Sequence, residues 1–173
     1  MLIKNLNKMK KIILTISFII LIITPSISQC SFKTTIRPDG NVIKYFNPQP
    51  VIRQSDYEVG ISIYKNITTD ELMLNISVLF KSMQPKKLTK NAVIQTTNIK
   101  GIDLVQLMTE TIVMNGRDVS IGLYKIEKAD FEQLRKYPLK SVFFYLEGSL
   151  KGSTVTENAS ILNIELACFN LLN

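Results

Sequence analysis

Hydrophobic and polar side chains alternate along several stretches of this chain, with the period of two that is typical of strands with one buried face. The clearest stretch is residues 57–63, where bulky apolar side chains occupy every odd position. The alternation recurs in residues 72–80, directly after the polar pair Asp70-Glu71. Polar residues between two alternating runs favour a chain reversal. The pattern therefore predicts a β-hairpin formed by these two segments.

Clusters of turn-forming residues mark the ends of further strands. Residues 38–41, Pro-Asp-Gly-Asn, separate residues 31–36 from residues 42–46 and predict a hairpin, because Asp and Gly tolerate turn dihedrals. Three later segments extend the sheet: residues 92–97, 102–114 and 119–123, the last two separated by Asn115-Gly116. Pro48 and Pro50 are expected to interrupt strand pairing, because proline has no backbone N–H to donate.

The segment Leu139–Leu146 differs from the others because residues 142–145, Val-Phe-Phe-Tyr, form a continuous apolar run. Continuous apolar runs of this length are typical of strands that are buried on both faces. This segment is therefore expected to be a central strand.

Two segments have helical periodicity. Phe131 and Leu134 lie three positions apart between charged residues, which predicts a short helix near residues 129–136 that buries both side chains and ends before Pro138. The C-terminal segment fits two alternatives, a strand or a helix that follows a cap near Thr156.

The N-terminal segment has the three parts of a secretory signal peptide. Lys10 and Lys11 precede the apolar run Ile12–Thr24, and the small residues Ser26 and Ser28 follow it. This arrangement predicts export to an oxidising space outside the cytoplasm: the periplasm, the cell surface or the secreted fraction.

Cleavage is expected after residue 28, so that residues 1–28 are a signal peptide and residues 29–173 a single β-rich domain. The run from Ile12 to Thr24 is shorter than the about 20 apolar residues that cross a bilayer, so no transmembrane helix is predicted in the mature chain. Met9 begins a more typical signal peptide than Met1, and the start codon stays open between the two.

The chain has two cysteines, Cys30 and Cys168. An even number of cysteines in an exported protein favours a disulfide, so the two are predicted to be bonded to each other. The alternative is a lipoprotein that carries lipid on Cys30. This alternative is disfavoured because Gln29 occupies a position where lipoprotein signals have Gly, Ala or Ser.

Composition argues against several classes of function. The formal charge is +7, but four of the lysines precede the apolar run, and the remaining cations are scattered, so no nucleic-acid partner is predicted. The chain has no histidine, which removes the commonest general base and metal ligand. Two cysteines cannot build a structural zinc site alone. No catalytic residue, cofactor or metal is therefore predicted.

Carboxylate pairs are the remaining candidates for acid and base chemistry. Asp56 lies near Glu58, and Asp70 precedes Glu71. Both pairs are expected to be solvated charges at strand ends. Asp39 is expected to stabilise the turn at residues 38–41. It is not expected to bind calcium, because no series of spaced acidic residues surrounds it.

Several segments together resemble a pattern found in small uncharacterised exported proteins of Bacteroidetes-type bacteria. The segments that carry the resemblance are Leu123–Ile126, Ala129–Leu134, Pro138–Phe143 and Leu166–Cys168, with Cys30–Thr35, Arg37–Gly40 and Lys44–Phe46 near the start. The resemblance implies a sheet with a helix packed on it, a late cysteine and no catalytic residue. It also favours the helix at the C-terminus. The expected fold class is therefore α+β and predominantly β: an antiparallel sheet or sandwich with two helices.

These observations predict an exported, non-enzymatic protein that binds another macromolecule, an unknown protein or envelope partner. Its compact size and the missing catalytic groups support this interpretation. A small-ligand carrier and a histidine-independent enzyme are the alternatives. A flat apolar surface would favour the binding protein, an enclosed apolar cavity the carrier, and a pocket with converging carboxylates the enzyme.

Overall fold

A computed structural model describes residues 30–98 and 100–170 of the chain. The chain divides into two compact units, Met1–Ser31 and Phe32–Asn173. The predicted signal peptide, residues 1–28, lies outside the described residues. The second unit contains all the elements discussed below.

Within the described residues the second unit has ten strands and two helices. The strands are β1 (Lys33–Ile36), β2 (Val42–Tyr45), β3 (Gln49–Arg53), β4 (Tyr57–Asn66), β5 (Glu71–Phe80), β6 (Leu88–Thr96), β7 (Gly101–Met114), β8 (Arg117–Lys125), β9 (Leu139–Leu146) and β10 (Ser149–Thr154). The helices are α1 (Lys128–Lys136) and α2 (Ile161–Asn170).

All the strands belong to one antiparallel sheet, which confirms the prediction of a predominantly β fold. The strand order is β1-β2-β4-β5-β8-β7-β6-β9-β10, and β3 pairs with β4 outside this path. The long strand β7 joins two parts of the sheet. Its first residues, Gly101–Leu104, pair with β6, and Val105–Met114 pair with β8.

The hairpins predicted from turn residues are present. Strand β1 pairs with β2 across residues 37–41, and β4 pairs with β5 along its full length. Strands β7 and β8 meet at Asn115-Gly116, where both residues have positive φ, 51° and 72°. Two residues in this conformation form the tight turn whose twist matches that of the flanking strands.

The prediction that Pro48 and Pro50 interrupt pairing is wrong for Pro50. This residue lies in β3 and is paired with Gly60 of β4, with an irregularity in register between Pro50 and Ile52. Strand β3 pairs with β4 alone. A proline is tolerated in β3 because one side of an edge strand has no partner strand, so no backbone N–H is needed there to donate a hydrogen bond.

The prediction that β9 is a central strand buried on both faces is only partly correct. The strand does pair on both sides, with β6 and β10. However, its burial alternates: Val142, Phe144 and Leu146 are buried, whereas Phe143 and Tyr145 are half-buried. The apolar run therefore supplies one fully buried face and one partly covered face.

Both helices occur where the sequence places them, with two corrections. In α1, Leu134 is fully buried, but Phe131 is only half-buried because it lies in the wall of an open groove. Helix α2 begins at Ile161, and Thr156 is not its cap. The Thr156 backbone N–H instead donates to the Val51 carbonyl oxygen at 2.9 Å.

Helix α2 is fixed to the rest of the fold by its buried face. Leu162, Leu166 and Phe169 are at most 1% exposed. The Phe169 ring contacts those of Phe32 and Phe46, with centroids 4.8 and 5.4 Å away. An aromatic cluster of this kind stabilises the docking of a helix beyond the effect of its buried area.

Candidate functional site

The most unusual feature of the described surface is a free strand edge. Strand β6 pairs with β7 only as far as Leu104, so residues 105–114 of β7 have a partner on one side, β8. No other described strand lies along their second side. We call this segment, residues 105–114, the β7 edge.

The hydrogen-bond pattern of the hairpin shows which backbone groups the β7 edge presents. In an antiparallel pair, hydrogen-bonded and non-hydrogen-bonded residue pairs alternate, and the pair that flanks a two-residue turn is hydrogen-bonded. Met114 and Arg117 form that pair. Counting back along the register, Thr109, Thr111 and Val113 direct their N–H and C=O groups away from β8. None of the three has a hydrogen bond to another described backbone group on that side.

Strand β6 diverges from β7 for a local reason. Lys90 has a φ of 62°, a left-handed conformation that breaks the register of β6. The neighbouring Asn91 side chain accepts a hydrogen bond from the Gln106 backbone N–H at 3.2 Å. This side chain therefore satisfies the first edge donor after the pairing with β6 has ended, and the edge is open beyond Gln106.

The side chains of the β7 edge are mostly apolar and exposed. Among the described residues, five of the nine large hydrophobic side chains that are exposed belong to it: Val105 (49%), Leu107 (50%), Met108 (39%), Val113 (71%) and Met114 (50%). Glu110 is the one charged residue of this edge. Natural edge strands are usually short or carry charges or proline, which prevents pairing with other chains. The β7 edge has almost none of this protection.

An open groove of about 690 Å³ lies beside α1. Four of its charged side chains form two ion pairs. Lys65 Nζ lies 2.9 Å from Asp70 Oδ1, and Lys125 Nζ lies 2.8 Å from Glu127 Oε1. The hydrogen bond from Lys65 lowers the pKa of Asp70 below its ordinary value, so this carboxyl is a poor proton donor. The third carboxylate of the groove, Glu71, is in no ion pair with another described residue and accepts a hydrogen bond from the Thr69 hydroxyl at 3.2 Å. The groove therefore has no two unpaired carboxylates that could act together in acid–base catalysis.

Comparisons with known proteins identify no relative. The chain matches no family, no curated protein and no solved structure.

Cys30 and Cys168, the residues predicted to form a disulfide, are both disulfide-bonded. Because the chain has two cysteines, they are bonded to each other. A sulfur atom in a disulfide is not available for lipid attachment, which favours the disulfide over the lipoprotein alternative.

Two of the acidic residues considered above, Asp39 and Glu58, form hydrogen bonds or ion pairs with neighbouring residues. Asp39 accepts a hydrogen bond from the Asn41 backbone N–H at 3.0 Å, as expected for a turn residue. Glu58 forms ion pairs with Arg53 at 2.7 Å and with Lys81 at 3.5 Å.

Among the described residues, no group of three or more potential ligands is close enough together to hold a metal ion. The helices of the same part of the chain are too short or too polar to cross a membrane.

Glu165 is a buried acidic residue that sequence reasoning missed. It is 2% exposed, and its Oε2 accepts a hydrogen bond from the Ile63 backbone N–H at 2.5 Å. Strand β3 pairs with the part of β4 that precedes Ile63, and β2 pairs with the part that follows it. The Glu165 carboxyl fills the gap between the two strands. Burial raises the pKa of Glu165 to about 8. Its helical spacing from Leu162 and Phe169 was the available signal, because it places Glu165 on the apolar face of α2.

Proposed function

We propose that this protein is an exported, non-enzymatic interaction module of the cell envelope or the secreted fraction, which binds another polypeptide by strand addition. The partner contributes an extended segment that pairs with the β7 edge. The observation that carries the proposal is the set of outward-directed backbone groups of Thr109, Thr111 and Val113, flanked by exposed apolar side chains.

Strand addition explains both properties of this edge. Backbone N–H and C=O groups of the edge supply affinity when they pair with an incoming strand, and alternate side chains supply specificity. Met108, Val113 and Met114 would then be covered by the partner. An extended partner segment with apolar residues at alternate positions is the chemistry that fits this surface.

The alternatives have less support. A carrier needs an enclosed apolar cavity, whereas the groove beside α1 is open and has lysines and carboxylates in its walls. An enzyme without histidine would need a pair of unpaired acidic groups, whereas Asp70 and Glu127 are ion-paired and only Glu71 of the three carboxylates in the groove is not. The protein-binding function agrees best with the exposed, apolar edge.

The proposal includes an α+β sandwich architecture. Strand β7 pairs first with β6 and then with β8. This change of partner would allow the part of the sheet that contains β6 and the part that contains β8 to pack face to face. The contact of the Tyr57 ring in β4 with the Phe144 ring in β9, at 6.2 Å between centroids, supports this arrangement. In this arrangement the β7 edge is the long open side of one layer.

The test is site-specific photocrosslinking in the producing cells. A photoreactive amino acid at position 111 is expected to crosslink to another polypeptide chain, because a paired strand lies within reach of that side chain. The matched control is position 150, since Leu150 is also exposed and lies in a strand at the end of the sheet. Absence of crosslinks from position 111, or equal crosslinks from both positions, would overturn the proposal.

A further inference from the structure

We infer that the strand added to the β7 edge is the same edge of a second copy of this chain, in antiparallel orientation and centred on Thr111. This inference rests on the proposed function, because it names the partner of the same edge. It follows from three properties of residues 105–114: the positions of the open backbone groups, the position of the single charge, and the positions of the exposed apolar side chains.

The open backbone groups select the register. A twofold axis through Thr111 places each Thr111 opposite its counterpart and each Thr109 opposite the other copy's Val113. All three outward-directed residues of each copy then exchange N–H···O=C bonds. An axis through Ile112 would pair Thr111 with Val113 but would leave Thr109 opposite a turn residue, Asn115. The axis through Thr111 therefore satisfies the largest number of edge donors and acceptors.

The single charge supports the same register. An axis through Glu110 would place the two Glu110 carboxylates directly opposite each other, and like charges in directly opposed positions destabilise a strand pair. With the axis through Thr111, each Glu110 lies opposite Ile112 of the other copy. The two carboxylates are then not directly opposed.

The apolar side chains are also matched in this register. Met108 lies opposite the other copy's Met114, and Val113 lies opposite Thr109. These pairs include three of the five exposed apolar side chains of the edge: Met108, Val113 and Met114. The contact is isologous, because the same surface is used by both copies, and it closes at a dimer. The dimer has one sheet that continues across the twofold axis and no free β7 edge.

Cysteine substitutions test the register directly. Glu110 and Ile112 of opposite copies form a non-hydrogen-bonded pair, whose Cα atoms are about 4.5 Å apart, within the range that a disulfide bridges. Chains carrying Glu110→Cys and chains carrying Ile112→Cys are therefore expected to form a covalent dimer when they are mixed under mild oxidation, and each is expected to stay uncrosslinked alone. Efficient crosslinking of Glu110→Cys with itself, or of Ile112→Cys with itself, would show a different register and overturn the inference.

Sedimentation equilibrium of the disulfide-bonded mature protein tests the dimer itself. The unmodified chain is expected to have the mass of a dimer and Thr111→Pro that of a monomer, while Thr111→Ser, the matched control, stays dimeric. The Thr111 N–H points away from β8, so proline at this position removes no backbone hydrogen bond of the hairpin, and circular dichroism is expected to be unchanged. Proline does remove the side-chain hydrogen bond between Thr111 Oγ1 and Ser120 Oγ, 2.9 Å apart, which serine at this position keeps.

The two proposals fail in different ways. If the unmodified protein is a monomer at all concentrations but position 111 still crosslinks to another polypeptide in cells, the second-copy inference is wrong and strand addition stands. If position 111 crosslinks to nothing and the protein is a monomer, both are wrong.

Discussion

Replacement of both cysteines by alanine is expected to lower the free energy of unfolding by about 3 to 5 kcal/mol. The disulfide between Cys30 and Cys168 closes residues 30–168 into one loop. Such a closure restricts the unfolded chain, and the effect grows with the length of the loop. Cys168 is also buried in α2, at 5% exposed, beside residues that dock this helix.

Urea denaturation at neutral pH measures this effect. The double alanine variant and the unmodified protein under reducing conditions are expected to unfold at the same, lower denaturant concentration, because both lack the bond. A double variant that unfolds at the same urea concentration as the oxidised protein would contradict the stabilising role of the disulfide.

The stability of the protein is expected to fall as the pH rises from about 4.5 through about 8, because of Glu165. Burial raises the pKa of this carboxyl in the folded protein from 4.5 to about 8. Between these two values the folded protein holds a proton that the unfolded chain releases, so the free energy of unfolding decreases with increasing pH. The full effect corresponds to roughly 5 kcal/mol and is reached above the folded pKa.

Glu165→Gln is expected to remove most of this pH dependence. Its side-chain oxygen can accept the same hydrogen bond from the Ile63 N–H, and it cannot ionise. The variant is therefore expected to match the unmodified protein near pH 5 and to be more stable by several kcal/mol near pH 9.

The matched control is Glu132→Gln, because Glu132 is exposed in α1 and paired with Arg135 at 2.7 Å. This substitution is expected to leave the pH profile nearly unchanged, since an exposed ion pair contributes little. Parallel profiles for the unmodified protein and Glu165→Gln, measured by urea denaturation from about pH 5 to about pH 9, would show that Glu165 does not titrate as a buried group.

The strands that sequence predicted best are those whose signals are local. Alternation in β4 and β5 and the turn at Asn115-Gly116 specify hairpins with neighbours in the chain, and the structure contains them. Helix α1 was predicted from the spacing of Phe131 and Leu134, although the burial of Phe131 was overestimated. Its burial depends on the open groove beside α1, which the periodicity of α1 alone does not reveal.

The features that sequence did not predict depend on contacts between distant segments. Pro50 is compatible with β3 because β3 pairs on one side only, which the residues around Pro50 do not indicate. Glu165 is buried because α2 docks at the gap in β4 beside Ile63. The β7 edge was also missed, because it exists only where β6 stops pairing, at Leu104. The long strand itself was predicted, but not its open side.

Amide hydrogen exchange at Thr109, Thr111 and Val113, followed by NMR, tests the central claim most directly. Free edge amides exchange quickly, whereas amides paired with another strand are protected. We expect the three amides to exchange more slowly as the protein concentration rises, or when a synthetic peptide of residues 105–114 is added to dilute protein. Rapid exchange of all three at every protein and peptide concentration would contradict strand addition at the β7 edge.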